Sequence, residues 1–177
     1  MGALVKAEGG ALPAQVAEMQ QYLTFTLGNE MFAVGTLSVK EIIEYGQLTE
    51  VPMMPDFIRG VINLRGAVVP VIDLSARFGR SLTQVSRRTC IVIIEVPSGE
   101  EQQDIGVVVD AVSEVLEIPA SEIEPPPAFG AKIRTDFIHG MGKVDGRFVI
   151  LLDVGKVLSV DEISTLAAVA SQGTAAQ

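Results

Sequence analysis

The chain has one cysteine, one histidine and few positive charges, and each shortage removes a class of chemistry. With Cys90 alone, neither a disulfide framework nor a cysteine-built zinc site can be assembled. Inside the apolar run from Cys90 to Ile94 a small thiol packs like alanine or valine. His139 has no second ligand candidate and reads as a turn residue, neither metal ligand nor catalytic base. Thirteen Lys and Arg stand against 22 Asp and Glu, a net charge of −9 with a pI near 4.6, which opposes nucleic acid and anionic membrane surfaces. No apolar run approaches the roughly 18 residues of a membrane-spanning helix, and Lys6 interrupts any secretory leader. The expectation is a cytoplasmic protein without direct membrane insertion. A phosphate-cradling loop is also missing, because Gly140-Met141-Gly142 lacks a third glycine and precedes a hairpin.

What is present is a repeat. Phe57-Ile58-Arg59-Gly60 with Gly66 and Asp73 recurs as Phe137-Ile138-His139-Gly140 with Gly146 and Asp153, each 80 residues on (137−57, 153−73). Val69, Ile72 and Leu74 answer to Val149, Leu152 and Val154 in the same register. A second echo, Val39 to Glu44 against Val112 to Glu117, is offset by 73 (112−39), so the connecting loops differ in length. Two similar bodies create a seam, and seams of this kind are where ligands and partners dock.

Hydrophobic residues make up 48% of the chain at a mean hydropathy of +0.39, enough to bury a sizeable core. Residues 1–19 mix Ala, Gly, Gln and Glu without periodicity and are expected to form a flexible tail. From Tyr22 to Leu27 alternation sets Leu23, Phe25 and Leu27 on one face of a half-buried strand, and Gly28-Asn29-Glu30 turns it into Met31 to Val34. Val39 to Tyr45 fits either a short helical turn or a strand, and Ile42-Ile43 with the paired Val115-Leu116 favour a strand with a bend. Asn63-Leu64-Arg65-Gly66 and Lys143-Val144-Asp145-Gly146 read as tight hairpin turns. Thr89 to Val96 and Ile105 to Val109 add two strands around a loop from Pro97 to Asp104, and Pro125 to Pro127 form a surface connection or an edge. Arg77, Arg80, Arg87 and Arg88 bracket a segment without interleaved aromatics and read as a solvated linker. Short helical turns follow Asp73 and Asp153. A helix from Asp161, as its N-cap, towards Val169 precedes a frayed end in the 161–177 segment. These elements predict a mainly β protein of two small barrels with a few short helices, its halves covering about residues 20–82 and 88–160.

Catalytic constellations are absent from this reading. Asp73 and Asp153 could share a proton as aspartic-protease carboxylates do. Their flanks, Ile72-Asp73-Leu74-Ser75 and Leu152-Asp153-Val154-Gly155, lack the Asp-Thr-Gly or Asp-Ser-Gly turn, and helix capping accounts for both. The expectation is therefore no enzyme, no cofactor and no metal. A small-ligand-binding β-barrel module is the alternative to a protein-docking one.

Tyr22-Leu23-Thr24-Phe25-Thr26-Leu27-Gly28, Val39-Lys40-Glu41-Ile42-Ile43, the run from Phe57 to Gly66 followed by Val69-Pro70-Val71-Ile72-Asp73-Leu74, and Gly106 to Asp110 together resemble the CheW-like domain family of bacterial chemotaxis coupling proteins. The resemblance spans Tyr22 to about Val160. It implies two intertwined five-stranded SH3-like β-barrel subdomains and a non-catalytic adaptor. Its implied partners are methyl-accepting chemoreceptors and the regulatory domain of a CheA-type histidine kinase. Val39, Glu41, Ile42, Gly60, Asn63, Leu64, Arg65 and Gly66 match receptor- or kinase-contact positions of the family. Lacking room for an ATP-binding module or a receiver, the chain resembles the stand-alone adaptor. Glu41 and Arg65, of opposite charge, are expected to pair across a groove supplied by the seam. Val68, Val71 and Ile91 to Ile94 could be either a kinase-binding face or core.

Overall fold

The computed structural model describes residues 19–126, 135–160 and 162–164. The expected tail up to residue 18, Pro127, Asp161 and the expected C-terminal helix beyond residue 164 lie outside them. The strands are β1 (Met19–Leu27), β2 (Glu30–Gly35), β3 (Val39–Glu44), β4 (Ile58–Leu64), β5 (Ala67–Asp73), β6 (Cys90–Ser98), β7 (Glu101–Val109), β8 (Ala111–Pro119), β9 (Ile123–Glu124), β10 (Ile138–Val144) and β11 (Arg147–Leu152). The helices α1 (Leu74–Arg77) and α2 (Val154–Val157) are single turns. The architecture is mainly β, as the alternation and the turn residues require.

The repeat is realised down to individual backbone bonds. Arg65 and Gly66 turn β4 into β5 at φ 54° and 87°, and Asp145 and Gly146 turn β10 into β11 at 52° and 77°, the left-handed pair that a two-residue hairpin demands. Both first strands slip register at the same place, between Ile58 and Gly60 and between Ile138 and Gly140. The Asp73 N–H donates to the Phe57 carbonyl at 2.7 Å, and the Asp153 N–H to that of Phe137 at 2.8 Å. Each aspartate caps the helix after it, Asp73 accepting from the Ala76 N–H and Asp153 from the Lys156 N–H. Ser159, whose hydroxyl accepts from the Glu162 N–H, makes the capping bond expected of Asp161.

Each sheet takes strands from both halves. One sheet has six strands in the order β8-β1-β2-β11-β10-β9, the other five in the order β3-β6-β7-β5-β4. The first hairpin of each half is thus inserted in the sheet that the other half completes. It is joined there by parallel pairs, Phe32 with Ile150 and Val71 with Gly106. Two five-stranded SH3-like barrels were expected. Neither sheet closes through its backbone ladder, since β8 and β9 remain edges of one and β3 and β4 edges of the other, and the two-residue β9 makes one sheet six-stranded.

Three other expectations change for packing reasons. The tip between β6 and β7 is a tight turn at Gly99, φ 67°, where an eight-residue loop was expected, because Pro97 and Ser98 pair with Gln102 and Glu101. β1 is buried on both faces, because Tyr22 and Thr24 fill one lobe's interior while Leu23, Phe25 and Leu27 face the other sheet. Thr24 is tolerated there since its hydroxyl donates to the Glu114 carbonyl at 2.8 Å and accepts from the Glu114 N–H at 3.1 Å across a bulge. Arg77 is buried and not solvated. Its Nε donates to the Val157 carbonyl at 2.9 Å, its guanidinium lies over the Phe57 and Phe137 rings, and Glu162 pairs with it at 2.9 Å.

The lobes share more core than either keeps to itself. Among the described residues, 18 buried side chains form one cluster drawn from both sheets, against five in each lobe's own. Burying one large apolar side chain stabilises by about 1.5–3 kcal/mol, so the shared cluster joins the lobes into one folding unit. Its spine is a run of phenylalanines, with ring centroids 6.2 Å apart for Phe25 and Phe32, 5.5 Å for Phe32 and Phe78 and 6.0 Å for Phe78 and Phe137. Among the described residues the centre of the seam is therefore packed core.

Candidate functional site

The groove lies within one lobe, between the two open edges of the five-stranded sheet. A cavity of about 270 Å³ has Ile91 at its base, Ile43 and Glu44 of β3 on one side and Val61 to Leu64 of β4 on the other. Residues Gly46 to Thr49 cross its end as a strap, with the Thr49 N–H donating to the Val61 carbonyl at 3.0 Å and the Val61 N–H to that of Thr49 at 2.8 Å. At β4 of the other lobe's counterpart, β10, the equivalent contact is the short strand β9 pairing Glu124 with Met141.

A bidentate ion pair clasps the open edges together. Arg65, at the tip of the β4–β5 turn, donates from Nη1 to Glu41 Oε2 at 2.8 Å and from Nη2 to Oε1 at 2.7 Å. The turn that carries Arg65 is itself fixed, because Asn63 Oδ1 accepts from the Gly66 N–H at 2.9 Å. The hydrogen bonds from Arg65 hold the Glu41 carboxyl below its ordinary value, and Glu41 raises the Arg65 guanidinium in return. Arg65 remains largely exposed, at 74% of its side chain, so the clasp is a rim feature.

The structure brings together Glu41, Asn63, Leu64, Arg65 and Gly66 at this rim. Ile42 lies on the same strand with the opposite direction, 42% exposed. Val39 packs against the shared core beside its pairing partner Ile94. Gly60 is buried beneath the strap. A Cβ there would stand 2.5 Å from the Thr49 carbonyl oxygen, and its φ of 151° is one that side chains avoid. Its place is architectural, as is that of Gly140, where a Cβ would meet Ile123 Cγ2 at 2.5 Å. Of the residues left between core and docking face, Val71 and Ile91 to Ile94 are core, whereas Val68 is 72% exposed.

Sequence reasoning missed the groove walls Ile43 and Ile62 and an ionic cluster under β4. Asp73 is fully buried and accepts from the Thr83 N–H at 2.9 Å and the Thr83 hydroxyl at 3.0 Å in addition to its capping bond. Arg59 Nε stands 3.3 Å from Asp73 Oδ2 as an ion pair off hydrogen-bonding angle, while its Nη2 donates to the Thr83 carbonyl at 2.8 Å. One signal for a second surface was available in the repeat offsets. Ile42 and Val68 correspond to Val115 and Phe148, and all four are exposed, at 42, 72, 51 and 52%. The charges do not repeat, since Glu114 and Asp145 stand where Glu41 and Arg65 do. The second lobe thus has a cavity of about 290 Å³ beside Phe148 without a clasp.

A larger cavity of about 610 Å³ at the crossover after α1 has Ser75, Ser81, Thr83 and Ser86 in its lining, and its Arg80 and Asp110 are already engaged by Glu30 and the Gly28 N–H. Among the described residues no group of three His, Cys, Asp or Glu could hold a metal ion, and no helix is long and apolar enough to cross a membrane.

Residues 21–162 match the family model described as the CheW-like domain. The chain is 39% identical over 145 residues to a Chemotaxis protein CheW of Klebsiella aerogenes, covering 82% of this chain and 85% of that one. It is 31% identical over 150 residues to Protein FrzA of Myxococcus xanthus, covering 84% and 91% respectively. Among solved structures, the scaffolding protein TtCheW from Thermoanaerobacter tengcongensis superposes with a TM-score of 0.71 at 36% identity, over 78% of this chain and 86% of that one.

Proposed function

Because this chain belongs to the CheW-like domain family, we propose that it is a chemotaxis scaffold without catalytic activity. In this reading residues 20–160 work in the cytoplasm as the adaptor domain. They link the tips of methyl-accepting chemoreceptors to the regulatory domain of a CheA-type histidine kinase, so that receptor occupancy controls autophosphorylation. We read each lobe as SH3-like in outline, the five-stranded sheet with its strap laid across the open edges and the six-stranded sheet with the short β9 in the equivalent place.

The observation that carries the proposal is the clasped groove. A receptor tip is a helical hairpin, and a helix docks by placing side chains at i, i+3 and i+4 into an apolar trough with a polar rim. The cavity between Ile43, Ile62 and Leu64 supplies the trough, and the Glu41–Arg65 pair supplies the rim. Glu41, Ile42, Asn63, Leu64, Arg65 and Gly66 are the contact residues. Val39 and Gly60 act through them, the first by seating β3 and the second by letting the strap close. The outward pairs Ile42 with Val68 and Val115 with Phe148 give the kinase domain two similar apolar faces, one on each lobe. Heterologous use of such faces extends into rings or arrays of adaptor and kinase.

An isotope-labelled titration with a receptor-tip hairpin tests the assignment. Backbone shifts are expected in β3 and in residues 63–66, with little change in β10 and β11. Shifts confined to the second lobe, or none at all, contradict it.

A further inference from the structure

The four ladders that hold the sheets together all run between the two halves of the chain. β1 pairs with β8, β2 with β11, β3 with β6 and β5 with β7. Within the first half only β1 pairs with β2 and β4 with β5, and within the second only β6 with β7 and β10 with its neighbours. Either half alone therefore keeps two sets of strands with no ladder between them, β1-β2 and β4-β5 with its strap in the first and β6-β7 and β9-β10-β11 in the second, and two- or three-stranded pieces without their packing partner are marginal in water. The shared core is divided in the same way, with Phe25, Phe32 and Phe78 from one half stacked towards Phe137 from the other.

One covalent connection joins the halves, the crossover from Gly79 to Thr89, and it is anchored separately at each end. Buried Thr83 is tied to Asp73 in the first half, and buried Thr89 opens the strand that begins at Cys90. The bonds between, from the Ser86 N–H to Thr89 Oγ1 at 2.8 Å and from the Arg88 N–H to Ser86 Oγ at 3.2 Å, are local. Arg87 and Arg88 are exposed and outside any strand.

We propose that the two halves, residues 1–87 and 88–177, are binding partners for each other, and that the peptide bond between Arg87 and Arg88 is dispensable once they have met. Each half is the only completed template for the other: its hairpin enters the partner's sheet, and its open strand edges accept the partner's hairpin. The crossover then serves to raise their effective concentration and not to hold the fold.

The test is to cut the folded chain after Arg87, with trypsin at limiting dose or at an inserted specific protease site. The nicked protein is expected to elute as one species with an unchanged far-UV spectrum, to separate only in denaturant, and to re-form on dilution. Coexpression of residues 1–87 with 88–177 asks the same question without the protease and is expected to yield a one-to-one complex. Phe32→Ala, which empties the stack, should weaken association of the nicked halves by about 100-fold or more. Halves that part in native buffer at micromolar concentration overturn the proposal. So does either half unfolding cooperatively by itself, or coexpressed halves that do not associate.

Discussion

Replacing Gly60 by alanine adds one methyl group at the point where β4 meets its strap. The new carbon would stand 2.5 Å from the Thr49 carbonyl oxygen and 3.0 Å from its carbon, both backbone atoms, so the strap has to move as a piece. Overpacking of this kind costs about 1–3 kcal/mol, and holding a side chain at φ 151° adds on the order of 1 kcal/mol. A total of about 2–4 kcal/mol lowers the melting temperature of a domain this size by roughly 4–16 °C. Gly66→Ala is the control. Its φ of 87° carries the backbone cost but nothing lies within 4 Å of the added carbon, so a loss of about 2–4 °C is expected. Gly140→Ala should fall between them, because its close contact at 2.5 Å is with the flexible end of Ile123 and the backbone oxygen of Glu124 is at 3.1 Å. Calorimetric unfolding of the three variants gives the ranking. A Gly60→Ala protein as stable as Gly66→Ala would refute the steric account of the strap, and with it the architectural role assigned to this glycine.

Three other outcomes follow from particular contacts. Glu41→Arg and Arg65→Glu should each weaken receptor-tip binding several-fold, and the double exchange should recover most of it; no recovery in a titration of all three counts against the clasp. Asp73→Ala leaves the Thr83 donors and the Arg59 guanidinium without their buried partner, a loss of about 3–5 kcal/mol. Asp153→Ala removes only a cap worth about 1 kcal/mol, and equal denaturation midpoints for the two would contradict the difference. The depressed Glu41 carboxyl contributes stability that is present above its unfolded value of 4.5 and is lost as pH falls through the lower folded value. Acid titration of Glu41→Gln should accordingly show a shallower fall of stability below about pH 4.5 than the parent chain, and superimposable curves would remove that role.

The parts legible in the sequence were those whose cause is local. Alternation in Tyr22 to Leu27, left-handed turn residues at Arg65-Gly66 and Asp145-Gly146, and aspartates placed to cap α1 and α2 each act within a few residues, so composition and spacing exposed them. The Glu41–Arg65 pair was readable as opposite charges at positions the family resemblance singled out, and the structure supplies its bidentate geometry. The non-local arrangement was not legible. Phe25, Phe32, Phe78 and Phe137 look unrelated along the chain and become a stack only when the hairpins exchange, which is why the seam reads as a groove in sequence and is core in the fold. Arg77 misled for a similar reason. Among other arginines it resembles a solvated residue, yet the position 80 residues on, Val157, is the one whose carbonyl it meets.

In the proposed function the groove between β3 and β4 transmits receptor state to a kinase. Reconstituting a CheA-type kinase and a receptor fragment with and without this chain, and following phosphate transfer from ATP, tests it most directly. Autophosphorylation is expected to depend on receptor only when the chain is present, and to lose that dependence with Arg65→Glu while the protein stays folded. Kinase output that ignores the receptor in the complete mixture, or that responds to it equally well without this chain, would contradict the account.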